Sequence, residues 1–409
     1  MDFFVPCVKG KIKNKKAVVS VPGSKSITAR ALLLATLARG KSTLFGVQDS
    51  DDCATFLSAV RSLGVGVREY NGTVEIEGCD GVLPKTEGEI YVGSAGTASR
   101  FLTAVCALSN GKFVLRASEQ MKKRPQEPLI KALESVGATF KFLEKENCFP
   151  FEVCGAQFGD RTPKNKVKVD VEKSSQYLSA LLMSAVCLKQ KFEIEVVGKH
   201  GLDYVNMTTC IMSDFGVKVV KNGNTYAVNG AYRATDYRIE PDVSGACYFC
   251  AINRIIGTEI EVAGMPNCSM QGDCKFIQLI KDFDGGEVDM SSFSDQALTL
   301  AAIAPYFSKP TKIVGIAHVR GQECDRICAM VKNLTALGAK IEETDDGIVV
   351  YPSKLHGAKI DTFGDHRVAM SFALTGLLTE GVVIENAHVC SKTFKDYFTV
   401  LSGVLDAIT

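Results

Sequence analysis

AVRSLGVGVRE, residues 59–69, joins an amphipathic stretch to a short β-type run through Gly64, and the same grammar returns along the chain. It reads ALESVGATFKF at 132–142, CIMSDFGVKVV at 210–220 and NLTALGAKIEE at 333–343, turning on Gly137, Gly216 and Gly338. A worn copy, LIKDFDGGEVDM at 279–290, turns near Gly285. Glycine at that point predicts a helix that ends in a left-handed residue and feeds a strand, since glycine alone takes that conformation without a Cβ clash. The copies stand roughly 50 to 80 residues apart, too far for a simple solenoid and enough for a small unit with its own sheet and helices. The expected fold class is therefore α+β. A polar stretch, NGAYRATDYRIEPD at 229–242, separates the third and fourth copies. It predicts two similar lobes, with a cleft between them as the natural ligand site.

The rest of the composition narrows the function by exclusion. The chain has 409 residues, 46% hydrophobic and 23% charged, with a net charge of +1. That length predicts more than one core. No global field draws in nucleic acid or an anionic membrane, so any anion must be held by local cations. MDFFVPCVKGK at the start has no basic region before a long apolar run, and the apolar stretches 31–38 and 178–188 are far too short to span a bilayer. A cytoplasmic protein without a membrane partner is expected. The fifteen cysteines are scattered, and the one CxxC, Cys247 with Cys250, lacks a second pair at zinc spacing. Buried thiols are expected, and no metal.

Several helices open on small polar residues beside a cation or an amide. Ser24-Lys25-Ser26 precedes ITARALLLATLA, Gly93-Ser94-Ala95-Gly96-Thr97 precedes ASRFLTAVCAL, and Ser174-Ser175-Gln176 precedes YLSALLMSAVCL. Side-chain capping is the plain reading of each. The three together point to anion sites at helix N-termini. In PGSKSITAR, residues 22–30, Lys25 and Ser26 open the helix and Arg30 follows one turn later, so amides, ammonium and guanidinium converge. The spacing is not that of a P-loop.

Further along come KKRP with Arg124, SDQALT with Asp295, RGQECDRI at 320–327, FGDHRVAM at 363–370 and CSKTFKDYF at 390–398. In this order and spacing, from Pro22 to Phe398, the set resembles the enolpyruvyl transferases, and among them the branch whose acceptor is 3-phosphoshikimate. The resemblance implies two lobes, each of three βαβαββ repeats, in an inside-out α/β barrel arrangement. Residues 18–235 would form the first lobe and 1–17 with 236–409 the second, the active site lying in the cleft. It implies transfer of the enolpyruvyl group of phosphoenolpyruvate to the acceptor's 5-hydroxyl, in the shikimate pathway, by a monomer with no cofactor.

The resemblance also assigns residues. Lys25, Gly96, Arg124, Gln176, Arg326, Arg367 and Lys392 match positions that hold phosphoenolpyruvate. Ser26 and Arg30 match the shikimate carboxylate site, Ser174 and Ser175 the 3-phosphate contacts, and Tyr204 the pocket wall. Lys25 and Gln176 also fall among the acceptor's contacts, as do His318 and Gln322. Asp295 matches the carboxylate that binds the shikimate hydroxyls and accepts a proton; Glu323 is the second acid, with Lys25 as a further catalytic group. These types suit the chemistry, because guanidinium binds carboxylate and phosphate bidentately and addition–elimination needs an acid and a base.

The chain departs from the family pattern at Ala29, Ser94, Phe101 and Gly201, and most tellingly at His318 for Asn and Gln322 for Lys. Gln322 loses a charge but keeps a hydrogen-bond donor. The sister family that acts on UDP-N-acetylglucosamine is the alternative. It carries Lys-Asn in the first motif and a reactive cysteine before its Arg-Pro, where this chain has Lys25-Ser26 and ASEQMKKRP. A non-catalytic repeat protein binding an anion would have little use for Asp295 and Glu323 among the cations.

Overall fold

The structure, a computed structural model, describes residues 1–159, 161–198 and 202–409, which leaves Gly201 outside the described residues. The chain divides into two compact units, one of Met1–Pro22 with Glu240–Thr409 and the other of Gly23–Ile239. The second is inserted between two strands of the first, since Lys16–Val19 pairs in parallel with Glu259–Val262.

Four of the sheets share one order. In the sheet of Glu87–Tyr91, that strand runs parallel to Lys112–Arg116, which pairs antiparallel with Phe151–Cys154, and Thr139–Phe142 takes the outer edge. Lys166–Asp170, Phe192–Val197, Thr225–Val228 and Val219–Asn222 repeat it. So do Gly286–Asp289, Thr311–Val314, Ile348–Val350 and Ile341–Glu343. The fourth takes its first strand, Asp236–Arg238, from the end of its unit, beside Arg39–Phe45, Thr73–Cys79 and Gly66–Tyr70. Parallel neighbours need a crossover helix and the last two strands form a hairpin, which is the βαβαββ order. Among the described residues the two remaining sheets, both in the unit holding the termini, have fewer strands: Phe3–Phe4, Val383–Ile384 and Lys359–Ile360, and the pair named above.

The repeated glycines do what their position demands. Gly64, Gly137, Gly216 and Gly338 have φ of +88°, +125°, +91° and +84°. Each links a helix (Asp51–Ser62, Glu127–Val136, Leu202–Asp214, Arg326–Ala336) to the outer hairpin strand of its sheet. The copy near Gly285 is different. Gly285 also has a left-handed φ, +102°, but the strand after it, Gly286–Asp289, takes the opposite edge, parallel to Thr311–Val314. It opens a repeat instead of closing one. A helix–glycine–strand pattern specifies the turn but not the edge, which pairing partners elsewhere in the chain decide.

Two kinds of helix follow from two kinds of sequence. The outer helix Asp51–Ser62 buries Cys53, Phe56, Leu57 and Val60 on one stripe and is capped by Ser50, whose Oγ accepts from the Cys53 amide at 3.2 Å. The helix Gly96–Leu108 is apolar or small all round apart from Arg100, and every residue of it is buried. Lys25–Leu37 and Gln176–Ser184 pack with it at the centre of their unit. Val243–Ile256, Ala297–Ile303 and His366–Gly376 play the same part in the other. A fully buried Leu102 or Phe101 contributes about 1.5–3 kcal/mol, so Leu102→Ala would cost about 2–5 kcal/mol. Lys25, Ser26, Gly96, Ser174, Ser175, Gln176, Asp295 and Arg367 fall on or beside the N-terminal ends of these central helices, while Glu323 and Arg326 stand just before and at the start of the outer helix Arg326–Ala336. No helix among the described residues is long and apolar enough to cross a membrane.

Candidate active site

In the unit Gly23–Ile239, Lys25 is the first residue of its helix and places Nζ 2.5 Å from Asp52 Oδ2. Asp52 sits in the first turn of the outer helix that Ser50 caps. The two carboxyl-terminal neighbours of Lys25 in the motif act differently. Ser26 offers its carbonyl to Arg30 Nη1 at 3.0 Å. Arg30 also donates through Nε to Thr208 Oγ1 at 2.8 Å and through Nη2 to the Tyr204 carbonyl at 3.2 Å and Ser179 Oγ at 3.4 Å. Its guanidinium lies 5.5 Å from the centre of the Phe101 ring and 6.0 Å from that of Tyr204. None of these partners is a carboxylate, and burial pushes the Arg30 pKa down to about 10.

A second group surrounds Gly96. A Cβ there would lie 3.1 Å from Arg100 Nη1 and 3.2 Å from Arg124 Nη1, so two guanidinium groups flank the bare backbone. Arg100 donates to Gln176 Oε1 and stacks 5.2 Å from the Tyr177 ring centre. Among the described residues, Arg124 Nε is buried without a hydrogen-bond partner. Ser174 Oγ accepts from the Gln176 amide at 3.3 Å, and Ser175 is buried at the helix start.

The capping expectation fails here. Ser24, Ala95 and Ser175 stand at the N-cap positions of the three central helices, and none makes a side-chain cap hydrogen bond. Ser175 has helical backbone angles, φ −67° and ψ −13°, unlike the extended residue that caps best, whereas Ser24 has an extended ψ of 123° and still makes no such bond.

In the other unit the cations meet acids. Arg326 is 2% exposed and uses all five N–H groups on protein. Nε and Nη2 reach Asp365 at 2.8 and 3.4 Å, Nη1 reaches Asp295 at 3.0 Å, and Nη2 reaches Glu323 at 3.1 Å. Nη1 also donates to Gln322 Oε1. Arg367 Nη2 bonds the other Asp295 oxygen at 2.8 Å, and Lys392 Nζ lies 3.3 Å from Glu323. His318 Nε2 pairs with Ser294 Oγ at 2.8 Å, one residue from Asp295. Burial pushes the Asp295 carboxyl up, but Arg367 and Arg326 outweigh it and hold it below the usual carboxylate range. Burial would lower Arg326, and Asp365, Glu323 and Asp295 more than reverse that. Asp295 is an anion at neutral pH, the state a proton acceptor needs.

The structure thus groups Lys25 with Asp52, groups Ser26, Arg30 and Tyr204, sets Gly96 beside Arg124, and gathers Asp295, Gln322, Glu323, Arg326, Arg367 and Lys392. His318 lies beside that last group, bonded to Ser294, the residue before Asp295. Sequence reading missed Asp52, Arg100, Ser244 and Asp365. Asp365 is fully buried, caps the helix His366–Gly376 by accepting from the Arg367 amide at 2.8 Å, and anchors Arg326. Its place directly before His366 and Arg367 was the available signal. Among the described residues no cluster of His, Cys, Asp and Glu could hold a metal ion. Cys247 and Cys250 lie on one helix, where burial pushes the Cys250 thiol up to about 11 and the Cys247 thiol well above its ordinary value, so both are poor nucleophiles.

The fold places the chain among two-unit proteins of this repeat. A solved EPSP synthase from Acinetobacter baumannii matches it with a TM-score of 0.82, covering 98% of each chain at 22% identity. Sequence is more specific. The model of the family EPSP synthase (3-phosphoshikimate 1-carboxyvinyltransferase) matches residues 9–401. A 3-phosphoshikimate 1-carboxyvinyltransferase of Nostoc sp. (strain PCC 7120) is 37% identical, over 95% of this chain and 97% of its own. One from Rhizobium etli is 40% identical, over 93% and 92%. The chain belongs to the EPSP synthase family.

Proposed function

We propose that Asp295, Glu323 and Lys25 carry the chemistry by which this chain moves the enolpyruvyl group of phosphoenolpyruvate to the 5-hydroxyl of 3-phosphoshikimate. Family membership over residues 9–401 carries the reaction itself. The single observation that supports the residue roles is Asp295, a carboxylate held between two guanidinium groups at 3.0 and 2.8 Å. In the addition, C3 of phosphoenolpyruvate gains a proton, C2 gains the acceptor oxygen, and the hydroxyl proton leaves. In the elimination, C3 loses a proton, the C2–O bond to phosphate breaks, and the double bond returns. No redox partner is needed.

Asp295 takes the hydroxyl proton and binds the acceptor's hydroxyls, while Glu323, held by Lys392 and Arg326, serves C3. Lys25, Arg124, Arg326, Arg367 and Lys392 hold the carboxylate and phosphate of phosphoenolpyruvate, with Gln176 and the open backbone at Gly96. Arg30 and Ser26 receive the shikimate carboxylate, Ser174 and Ser175 its phosphate, and Tyr204, His318 and Gln322 line the same acceptor. One N–H of Arg30 Nη1 is left for that carboxylate, which would bring a counter-ion to a buried charge that has none among its partners. The enzyme works as a cytoplasmic monomer.

Phosphate release is the test. Phosphoenolpyruvate with 3-phosphoshikimate should release phosphate, and phosphoenolpyruvate with UDP-N-acetylglucosamine should not. Release only with the nucleotide sugar would overturn the acceptor assignment, and release with neither would overturn the activity.

A further inference from the structure

Asp273 is buried, 4% exposed, and does not belong to any of the matched motifs. It begins the helix Cys274–Ile280, and its Oδ2 accepts from Ser244 Oγ at 2.5 Å and from Gln296 Nε2 at 2.8 Å. Ser244 Oγ in turn accepts from Arg367 Nη2 at 3.4 Å. Gln296 follows Asp295 in the chain, and Asp295 returns to Arg367 at 2.8 Å. The circuit closes: Arg367, Ser244, Asp273, Gln296, Asp295 and back to Arg367.

Its corners come from different elements. Ser244 lies in the first turn of Val243–Ile256, Gln296 is the N-cap of Ala297–Ile303, and Arg367 lies in the first turn of His366–Gly376. One buried carboxyl thereby ties two central helix starts to the turn that carries Asp295 and, through Ser244, to the third.

We propose that Asp273 is a positioning residue for the transfer reaction, setting Asp295 and Arg367 through Gln296 and Ser244. The proposal rests on the roles given above to Asp295 and Arg367. Gln296 is fully buried, so its amide would be left without an acceptor if Asp273 were removed, and the turn before Ala297 would lose its anchor. The groups facing Asp273 are Asp295, Arg367, Ser244 and Gln296, together with Cys247, whose Sγ donates to the Asp273 carbonyl at 3.6 Å, and Cys274 beside it. Burial pushes the Asp273 carboxyl up, the Asp295 charge adds to this, and Arg367 only partly offsets them. Two carboxyl groups thus compete for one guanidinium, and their proton affinities are driven apart.

The experiment has one arm on turnover and one that needs none. Asp273→Ala, checked for folding by circular dichroism, should lower kcat about 10- to 100-fold with the KM for 3-phosphoshikimate changed far less. Asp273→Asn keeps an oxygen where both donors point and should stay within a few-fold of wild type. Wild-type kcat in Asp273→Ala, or an equal loss in both variants, would overturn the proposal. In the second arm, ¹³C-carboxyl NMR follows the Asp273 titration, assigned by its loss in Asp273→Asn. It should lie above the ordinary aspartate range in the wild type and move down in Asp295→Asn. An unmoved midpoint would overturn the coupling even if the chain showed no transferase activity, whereas a wild type inactive with 3-phosphoshikimate would overturn the function alone.

Discussion

Arg30 and Arg326 are both buried arginines in the first turns of helices or one turn further, and their surroundings are opposites. Arg30 donates to two hydroxyls and two carbonyls and has its pKa pushed down to about 10. Arg326 donates to Asp295, Glu323 and Asp365 and is held above its ordinary value. The helix starts differ in the same way. Asp242 and Asp365 cap central helices in the unit of the termini, while Ser24, Ala95 and Ser175 make no side-chain cap in the other. A buried cation with neutral partners, beside uncapped amides, is a standing demand for an anion. A buried cation among carboxylates has that demand met, and its acids are poised to exchange protons. With the roles proposed above, the first unit mainly receives charge and the second mainly handles protons.

The largest effect expected from this contrast is on turnover. Asp295→Ala should reduce kcat on the order of 10²–10⁴-fold while the protein still binds phosphoenolpyruvate with acceptor in equilibrium dialysis. Near wild-type turnover would remove Asp295 from its role and with it the reading of that unit as the catalytic side.

Next, the two arginines can be set directly against each other. Arg326→Met leaves Asp365 buried without its main counter-charge and should cost about 3–5 kcal/mol in urea unfolding. Arg30→Met removes only hydrogen bonds to neutral groups and should cost about 1–2 kcal/mol, yet raise the KM for 3-phosphoshikimate at least about tenfold. Equal stability losses would break the comparison.

The pH dependence of stability sharpens it. Asp295 is held below its ordinary pKa when folded, so its contribution is present at neutral pH and lost as the pH falls through that lowered value, below about 4. Asp273 is raised, so its contribution is present below about 4 and lost as the pH rises through the raised value. In urea unfolding, Asp273→Asn should gain on wild type as the pH rises from about 4 to 7, whereas Asp295→Asn should fall behind it only at lower pH, as the pH rises towards about 4. Parallel curves for both variants would refute the opposed shifts.

The smallest effect should be at Gly96. Its φ is not left-handed, so alanine fits the backbone, and the added Cβ would press on two guanidinium ends 3.1 and 3.2 Å away. Gly96→Ala should leave thermal stability unchanged and raise the KM for phosphoenolpyruvate only a few-fold. It should weaken inhibition by glyphosate, a molecule slightly longer than phosphoenolpyruvate, considerably more. Equal inhibition of both proteins would show that Arg124 yields without narrowing the site.

All five repeat glycines were legible in the chain because left-handed φ is a local constraint that few residues meet. The amphipathic helices around Phe56 and Leu133 were legible too, since one-sided burial imprints a period on the sequence. The family's ordered motifs brought Lys25, Arg124, Asp295, Glu323 and Arg367 into view as individual residues. None of that required knowing what any of them touches.

Tertiary structure alone decided the rest. The strand after Gly285 takes the parallel edge because of the partners it meets, and helix–glycine–strand order is the same for either edge. Ser175 looks like a cap by type, but a cap depends on backbone angles at one residue, which the surrounding packing sets. Asp52 and Asp273 were silent because an aspartate at a helix start is ordinary in sequence, and Asp365 was marked only by its place before His366 and Arg367. What distinguishes them is a buried cation or donor brought within about 3 Å from a distant segment, a distance at which low-dielectric surroundings make pairing decisive.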